Sequence, residues 1–405
     1  MVKKLSVLTI VIQLSAVCFG ELDKQVLPDG IEFGVGVTNI YQHNARGGLS
    51  THRRAGRFSG SYDLEMSIDT EKIFGWENGA FFMLAEGSWS KSGGINDPSV
   101  GSIFGVNADG APRRSMDITE LWYEHSFWDN TLLIRIGKID LTCGFECRGC
   151  PVAFDRSMFA NDETSQFLNG ALVNNPTIPF GDNGLGIAAH FSPDDFWYLS
   201  AAVKDAQSDV RETGFRTAFH GEDYFFYILE TGIMPQFNSN NGALQGAYRI
   251  GVWYDPQPKA NSDRADDGRY RRDDRGFYIS CDQMLYKENA DEKDSQGLGV
   301  FFRYGYAPSK TNDITQFVSF GFSYQGLFEG RDEDVLGVGF AHGTLSDSAK
   351  NTYNNDYESA VEVFYNAKIT HYLNLSPSIQ YITNPGGVDS VKDAVIFGLR
   401  AQLTF

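Results

Sequence analysis

Much of this chain is built from short stretches in which apolar and polar residues alternate, a period of two that assigns successive side chains to opposite faces of a β-strand. Residues 61–69 show it most plainly: Tyr62, Leu64, Met66 and Ile68 alternate with Ser61, Asp63, Glu65, Ser67 and Asp69. The stretch 395–405 repeats it, with Val395, Phe397, Leu399, Ala401, Leu403 and Phe405 on one face. Gly398, Arg400, Gln402 and Thr404 occupy the other. A soluble β-sandwich strand shares this alternation. A wholly apolar face opposite one that carries a guanidinium also suits a wall with hydrocarbon outside and water inside.

Sixteen stretches of this kind are predicted as strands: 32–39, 61–69, 79–90, 116–126, 131–141, 184–191, 196–204, 223–232, 243–254, 277–286, 297–307, 315–324, 334–344, 357–368, 373–383 and 392–405. The links between them alternate in length. Those at 127–130, 192–195 and 369–372 are tight, whereas 40–57, 91–115, 142–183, 205–222 and 255–276 are long. Two links on the short side, 235–241 and 287–296, exceed the pattern. A sandwich has no reason to segregate loop length by parity. The expectation is an all-β fold: a transmembrane, antiparallel, up-and-down β-barrel of about 16 strands, with short periplasmic turns and long extracellular loops.

The start of the chain adds a compartment. Lys3 and Lys4 precede an uncharged, mostly apolar stretch from Leu5 to Phe19, the size of a secretory leader and short for a membrane span. Residues 1–20 are read as a signal peptide, with 21–405 as one barrel domain in the outer membrane. Cys18 as a lipidated residue is disfavoured by Val17 before it. No later run is long enough for a spanning helix, and the mean hydropathy of −0.29 fits strands half-faced to water. The net charge of −18, more negative still once both leader lysines are gone, repels nucleic acid.

Candidate chemistry is sparse. Cys143, Cys147 and Cys150 form a C-x3-C-x2-C cluster. An exported chain favours one local disulfide there over a metal, and no His lies close enough to complete a zinc site. Cys281, by parity, faces lipid. The histidines are scattered and form no triad or metal spacing. The segment 263–274 is too rich in Arg for a calcium loop, and neither a nucleophile elbow nor a phosphate-binding loop is present. No cofactor and no enzyme activity are expected.

Several short motifs fall in a specific order. They are Gly60-Ser61-Tyr62-Asp63-Leu64-Glu65, Glu120-Leu121-Trp122-Tyr123-Glu124, Ile136-Gly137-Lys138-Ile139-Asp140-Leu141 and Asp282-Gln283-Met284-Leu285-Tyr286. Arg303-Tyr304-Gly305-Tyr306-Ala307-Pro308, Gly326-Leu327-Phe328-Glu329-Gly330-Arg331 and Gln380-Tyr381-Ile382-Thr383-Asn384-Pro385-Gly386-Gly387 follow, before the last strand. In these the chain resembles the carbohydrate-selective porin family, OprB. The resemblance implies passive diffusion of small sugars through a 16-stranded outer-membrane barrel, with a homotrimer as the assembly to look for. In this class an aromatic-ended last strand, here ending at Phe405, resembles the signal read by the barrel-assembly machinery. The cysteine cluster and the loop after it match no family pattern.

Parity then selects wall residues. An Arg or Lys facing mid-bilayer lipid costs about 2–4 kcal/mol, so ionised mid-strand side chains are expected inside. The candidates for pore lining and sugar contact are Glu65, Glu86, Glu120, Trp122, Glu124, Arg135, Arg249, Trp253, Arg303, Glu362 and Arg400, with Glu230 and Asp282 inward by the same rule. Carboxylates and guanidinium groups exchange hydrogen bonds with hydroxyls, and an aromatic ring offers a face to a pyranose. Opposite charges that merely brace the wall are the competing explanation for each residue taken singly. The loop 142–183 is expected to fold into the lumen and narrow it, with Arg148, Asp155, Arg156, Asp162 and Glu163 as polar candidates. An extracellular cap is the alternative. The competing functions are a general or cation-preferring porin, a barrel-embedded hydrolase and a soluble secreted β-protein.

Overall fold

The computed structural model describes residues 28–90, 94–110, 114–142, 153–161, 167–209, 222–260, 270–291, 294–349 and 353–405. Sixteen antiparallel strands close into a barrel. They are β1 (Ile31–Gly48), β2 (Gly56–Asp69), β3 (Gly79–Ser88), β4 (Arg114–Phe127), β5 (Leu132–Ile139), β6 (Gly184–Phe191), β7 (Trp197–Asp205) and β8 (Phe225–Ile233). Then follow β9 (Gly242–Asp255), β10 (Asp274–Lys287), β11 (Gly297–Tyr306), β12 (Ile314–Gln325), β13 (Val335–Leu345), β14 (Tyr357–Thr370), β15 (Leu373–Thr383) and β16 (Lys392–Thr404). Each strand pairs with its neighbour in sequence, and β1 closes on β16 in the register Gly36↔Thr404 through Gln42↔Gly398. Closure leaves no wall strand with an unpaired edge.

The two faces separate by exposure. Phe302 is 41 % exposed and Arg303 next to it 0 %; Phe397 and Leu399 are 51 % and 48 % exposed, whereas Arg400, next to Leu399, is 1 %. The apolar face therefore looks outward, and the shared inner face runs across registers such as Glu124↔Arg135↔Ala188 and Ser280↔Arg303↔Ser319. The half-exposed thiol of Cys281 lies on the outer face, opposite Phe302.

The overlong link at 235–241 is itself ordered as a strand: Gln236–Ser239 pairs back on 242–245, extending a hairpin beyond the wall. At another short turn Asp69 caps the helix α1 (Thr70–Phe74) by accepting from Glu71 and Lys72 amides, and Gly75 ends it with a left-handed φ of 72°. Strand β1 runs nine residues past its predicted end at Asn39. Its continuation reads as polar in sequence because Gln42 and Asn44 point inward and bond to chain folded inside the barrel.

Phe405 fastens the seam. Its amide donates to the Val35 carbonyl at 3.0 Å, its carbonyl accepts from Val35 at 3.1 Å, and its ring stacks on Tyr372 at 5.8 Å. Phe405→Ala removes the stacked pair, worth about 0.5–1.5 kcal/mol beyond its buried area. The expected outcome is a lower yield of heat-resistant folded barrel, read by gel mobility. A normal yield would show that the ring plays no part in closure.

Candidate functional site

Among the described residues, two segments from the long-loop end enter the barrel. The first, 94–110 between β3 and β4, makes a wide helical turn at Asn96–Val100 and then buries Phe104 and Val106. The second, in the described parts of the β5–β6 connection, buries Ala160, Phe167 and the short helix α2 (Gly170–Val173). With Ile95 and Val100 these form one apolar core against Phe301, Phe317, Ala341, Ala360, Phe364 and Ile396 of the inner wall. Phe167 meets Phe364 edge-on at 4.9 Å. A Cβ on Gly339 would come within 2.9 Å of Leu172, so the wall under this core is necessarily bare there. The link 91–115 is thus not wholly the extracellular loop that its length predicts, because residues 94–110 fold inside. The legible signal was the run Ile103-Phe104-Gly105-Val106, too apolar for a solvated loop.

Inner-wall carboxylates hold the inserted backbone. Glu358 accepts from the Ser102 hydroxyl at 2.5 Å and from the amides of Ile103 (2.9 Å), Phe104 (3.3 Å) and Gly386 (2.5 Å). Glu362 accepts from the amides of Leu168 and Asn169, the shortest at 2.8 Å. Glu230 accepts from the Asp155 amide and from the hydroxyls of Tyr198 and Tyr278. Asp282 takes the Ser157 hydroxyl at 2.6 Å and pairs with Arg249 at 2.8 Å. Arg303 donates to the carbonyls of Leu172, Val173 and Asp155 and lies 3.4 Å from the Asp155 carboxylate. Burial pushes the Asp155 carboxyl up to about 6, against the opposing pull of Arg303.

These contacts divide the expected wall residues into two groups. Arg249, Trp253, Arg303, Glu362 and Arg400 face inward but are sealed. Trp253 packs with Phe226, Ile178 and Phe180 in a second core instead of presenting a ring to the lumen. The half-buried group lies on β2–β5: Glu65, Glu86, Glu120, Trp122 and Glu124, with Arg135 beside them at 5 % exposure. Here Arg135 holds Glu124 at 2.8 Å and covers the Trp122 ring at 3.8 Å. Phe82 of β3 stacks on the same ring at 4.8 Å, and the indole N–H donates to Glu120 at 2.8 Å. Trp122 is thus flanked from both neighbouring strands.

Openings lie at both ends. At the long-loop end a cleft of about 460 Å³ is lined by Asp140, Thr142, Asn174, Asn175 and Asp182. At the short-turn end another of about 380 Å³ is lined by Glu32, Asp69, Glu124, Ser126 and Asn130. Of the loop candidates, Arg156 is half-buried and Asp155 is clamped; Arg148, Asp162, Glu163 and the cysteines Cys143, Cys147 and Cys150 lie outside the described residues, as does the leader. Among the described residues no group of His, Cys, Asp and Glu could hold a metal ion.

Comparison with known proteins agrees with this geometry. Porin B of Pseudomonas aeruginosa is 25% identical over 415 aligned residues, covering 94% of this chain and 89% of that protein. The high pH structure of Pseudomonas putida OprB superposes with a TM-score of 0.76 at 20% identity, covering 93% of this chain and 94% of that one. The low pH structure of the same protein gives 0.55 at 16% identity, covering 93% of each chain. Both structural likenesses speak for the fold. These proteins are porins, channels rather than enzymes. The model of the carbohydrate-selective porin, OprB family matches residues 53–405, and the chain belongs to that family.

Proposed function

We propose that this chain is an outer-membrane porin through which small sugars diffuse passively, along the β2–β5 side of the lumen. The carrying observation is the asymmetry of the inner wall. The inserted segments seal the side from β8 to β16, whereas Glu65, Glu86, Glu120 and Glu124 stay accessible beside Trp122 and Arg135. Such a strip offers acceptors and donors to sugar hydroxyls without a deep pocket, and a channel must bind weakly to conduct. Its exported, membrane-inserted location is part of the same reading and is supported by the outward apolar face. The inserted stretches 153–161 and 167–183 act as the constriction.

Liposome swelling with a graded series of sugars tests this. Monosaccharides are expected to enter fastest, with rates falling as size grows, and faster than zwitterions of equal size. A second reading, a cation-preferring diffusion pore, is favoured by the four carboxylates of the strip. Equal swelling in sugars and zwitterions, with a cation-selective reversal potential, would establish it instead.

Arg135→Ala uncovers Trp122 and leaves Glu124 without that partner. The expected result is a folded barrel whose sugar-dependent current block shifts on the order of fivefold, the net worth of one hydrogen bond of about 1 kcal/mol. Unchanged block would remove Arg135 from the sugar path.

A further inference from the structure

Outside the barrel, at the long-loop end, the wall carries a groove of about 1020 Å³. Its floor is the outward face of β7–β11, where Tyr227, Leu229, Val252, Tyr254, Phe277 and Tyr306 stand exposed in adjoining registers. Its upper edge is a polar ledge, residues 270–275 and 308–311. The ledge is built: the carboxylate of Asp274, itself buried, binds Lys259 at 2.5 Å, the Thr311 hydroxyl at 2.9 Å and the Asn312 amide at 2.8 Å. The Tyr254 hydroxyl donates to the Arg272 carbonyl at 3.3 Å, drawing the ledge down over the outer face.

Arg271, Arg275 and Lys310 line the groove from this ledge, with Asp273, 4.0 Å from Arg271, as the carboxylate among them. Arg275 sits on the outward face itself, opposite Tyr254 across the β9–β10 pair. A cation there is costly in hydrocarbon and favourable where an anionic headgroup meets the acyl region. Apolar side chains below and guanidinium groups above match an amphiphile with its charge at the top.

We propose that this groove binds one phosphorylated glycolipid of the outer leaflet, its acyl chains against Leu229 and Val252 and its phosphate against Arg271 and Arg275. The inference rests on the outer-membrane reading above. Planar guanidinium groups suit a phosphate, which they can engage through two donors at once.

The test is native mass spectrometry of the purified full chain in detergent, titrated with bisphosphorylated lipid A and, separately, with the same lipid dephosphorylated. The expected result is retention of the phosphorylated lipid alone. The double variant Arg271→Ala/Arg275→Ala should weaken it on the order of thirtyfold, since each basic residue at a membrane surface contributes about 1 kcal/mol and every 1.4 kcal/mol is a factor of ten. Lys310→Ala should weaken it less, and sugar swelling should stay unchanged in all variants. Equal retention of both lipids, equal retention by the double variant, or an adduct that is a second copy of this chain would overturn the proposal. Loss of sugar-selective swelling in the wild-type protein, with lipid retention intact, would count against the porin reading and leave this one standing.

Discussion

Glu362→Ala is expected to unfasten the second inserted segment while the barrel stays closed. The Glu362 carboxylate is fully buried and serves as acceptor for two backbone amides, those of Leu168 and Asn169, with the Asn169 side chain bonded in turn to Gln380. Leaving a buried amide without its acceptor costs about 1–3 kcal/mol. Stranding two should raise the population of the detached segment on the order of a hundredfold or more, at 1.4 kcal/mol per factor of ten. Single-channel recordings should show higher conductance and more frequent open-state flicker. Amide exchange in 167–173 should quicken without change in the strands. A quiet channel of unaltered conductance would show that the apolar core around Phe167 suffices to hold the segment.

Arg303→Ala should be more damaging. Its guanidinium bonds to three carbonyls of the inserted chain and stands beside the buried Asp155 carboxylate. Removing one partner of a buried pair costs about 3–5 kcal/mol, because the other charge is left uncompensated. The variant should lose heat resistance and expose the 153–161 stretch to protease. Arg303→Ala/Asp155→Asn should recover part of that loss, since the stranded charge is gone. If the double variant is as labile as the single, the carbonyl contacts and not the ion pair carry the effect.

The strand pattern was legible because the wall has one apolar and one polar side, so period two marks each of the sixteen strands. Boundaries failed where the inner face is addressed to protein and not to water, as at Gln42 and Asn44 of β1. Parity could place Arg303 and Glu362 on the inner face, but a period-two rule says nothing about what covers that face. Trp253 and Trp122 share the same parity, yet one is packed beneath Phe180 and the other is half-buried beside Glu120 and Arg135. That difference comes from residues far away in sequence. The segment 94–110 escaped notice for a related reason: its length suits a surface loop, and only its apolar run hints at burial.

The seat of the second segment has a consequence for how the molecule comes into being. Its contacts reach Glu230 on β8, Asp282 on β10, Arg303 on β11, Ser323 on β12, Glu362 on β14 and Gln380 on β15. No shorter part of the sheet contains that set, so the seat exists only after these strands have joined in order. Full seating of the segment therefore depends on the wall from β8 to β15 as a whole, and a barrel that lacks any one of these strands loses part of the hold on it.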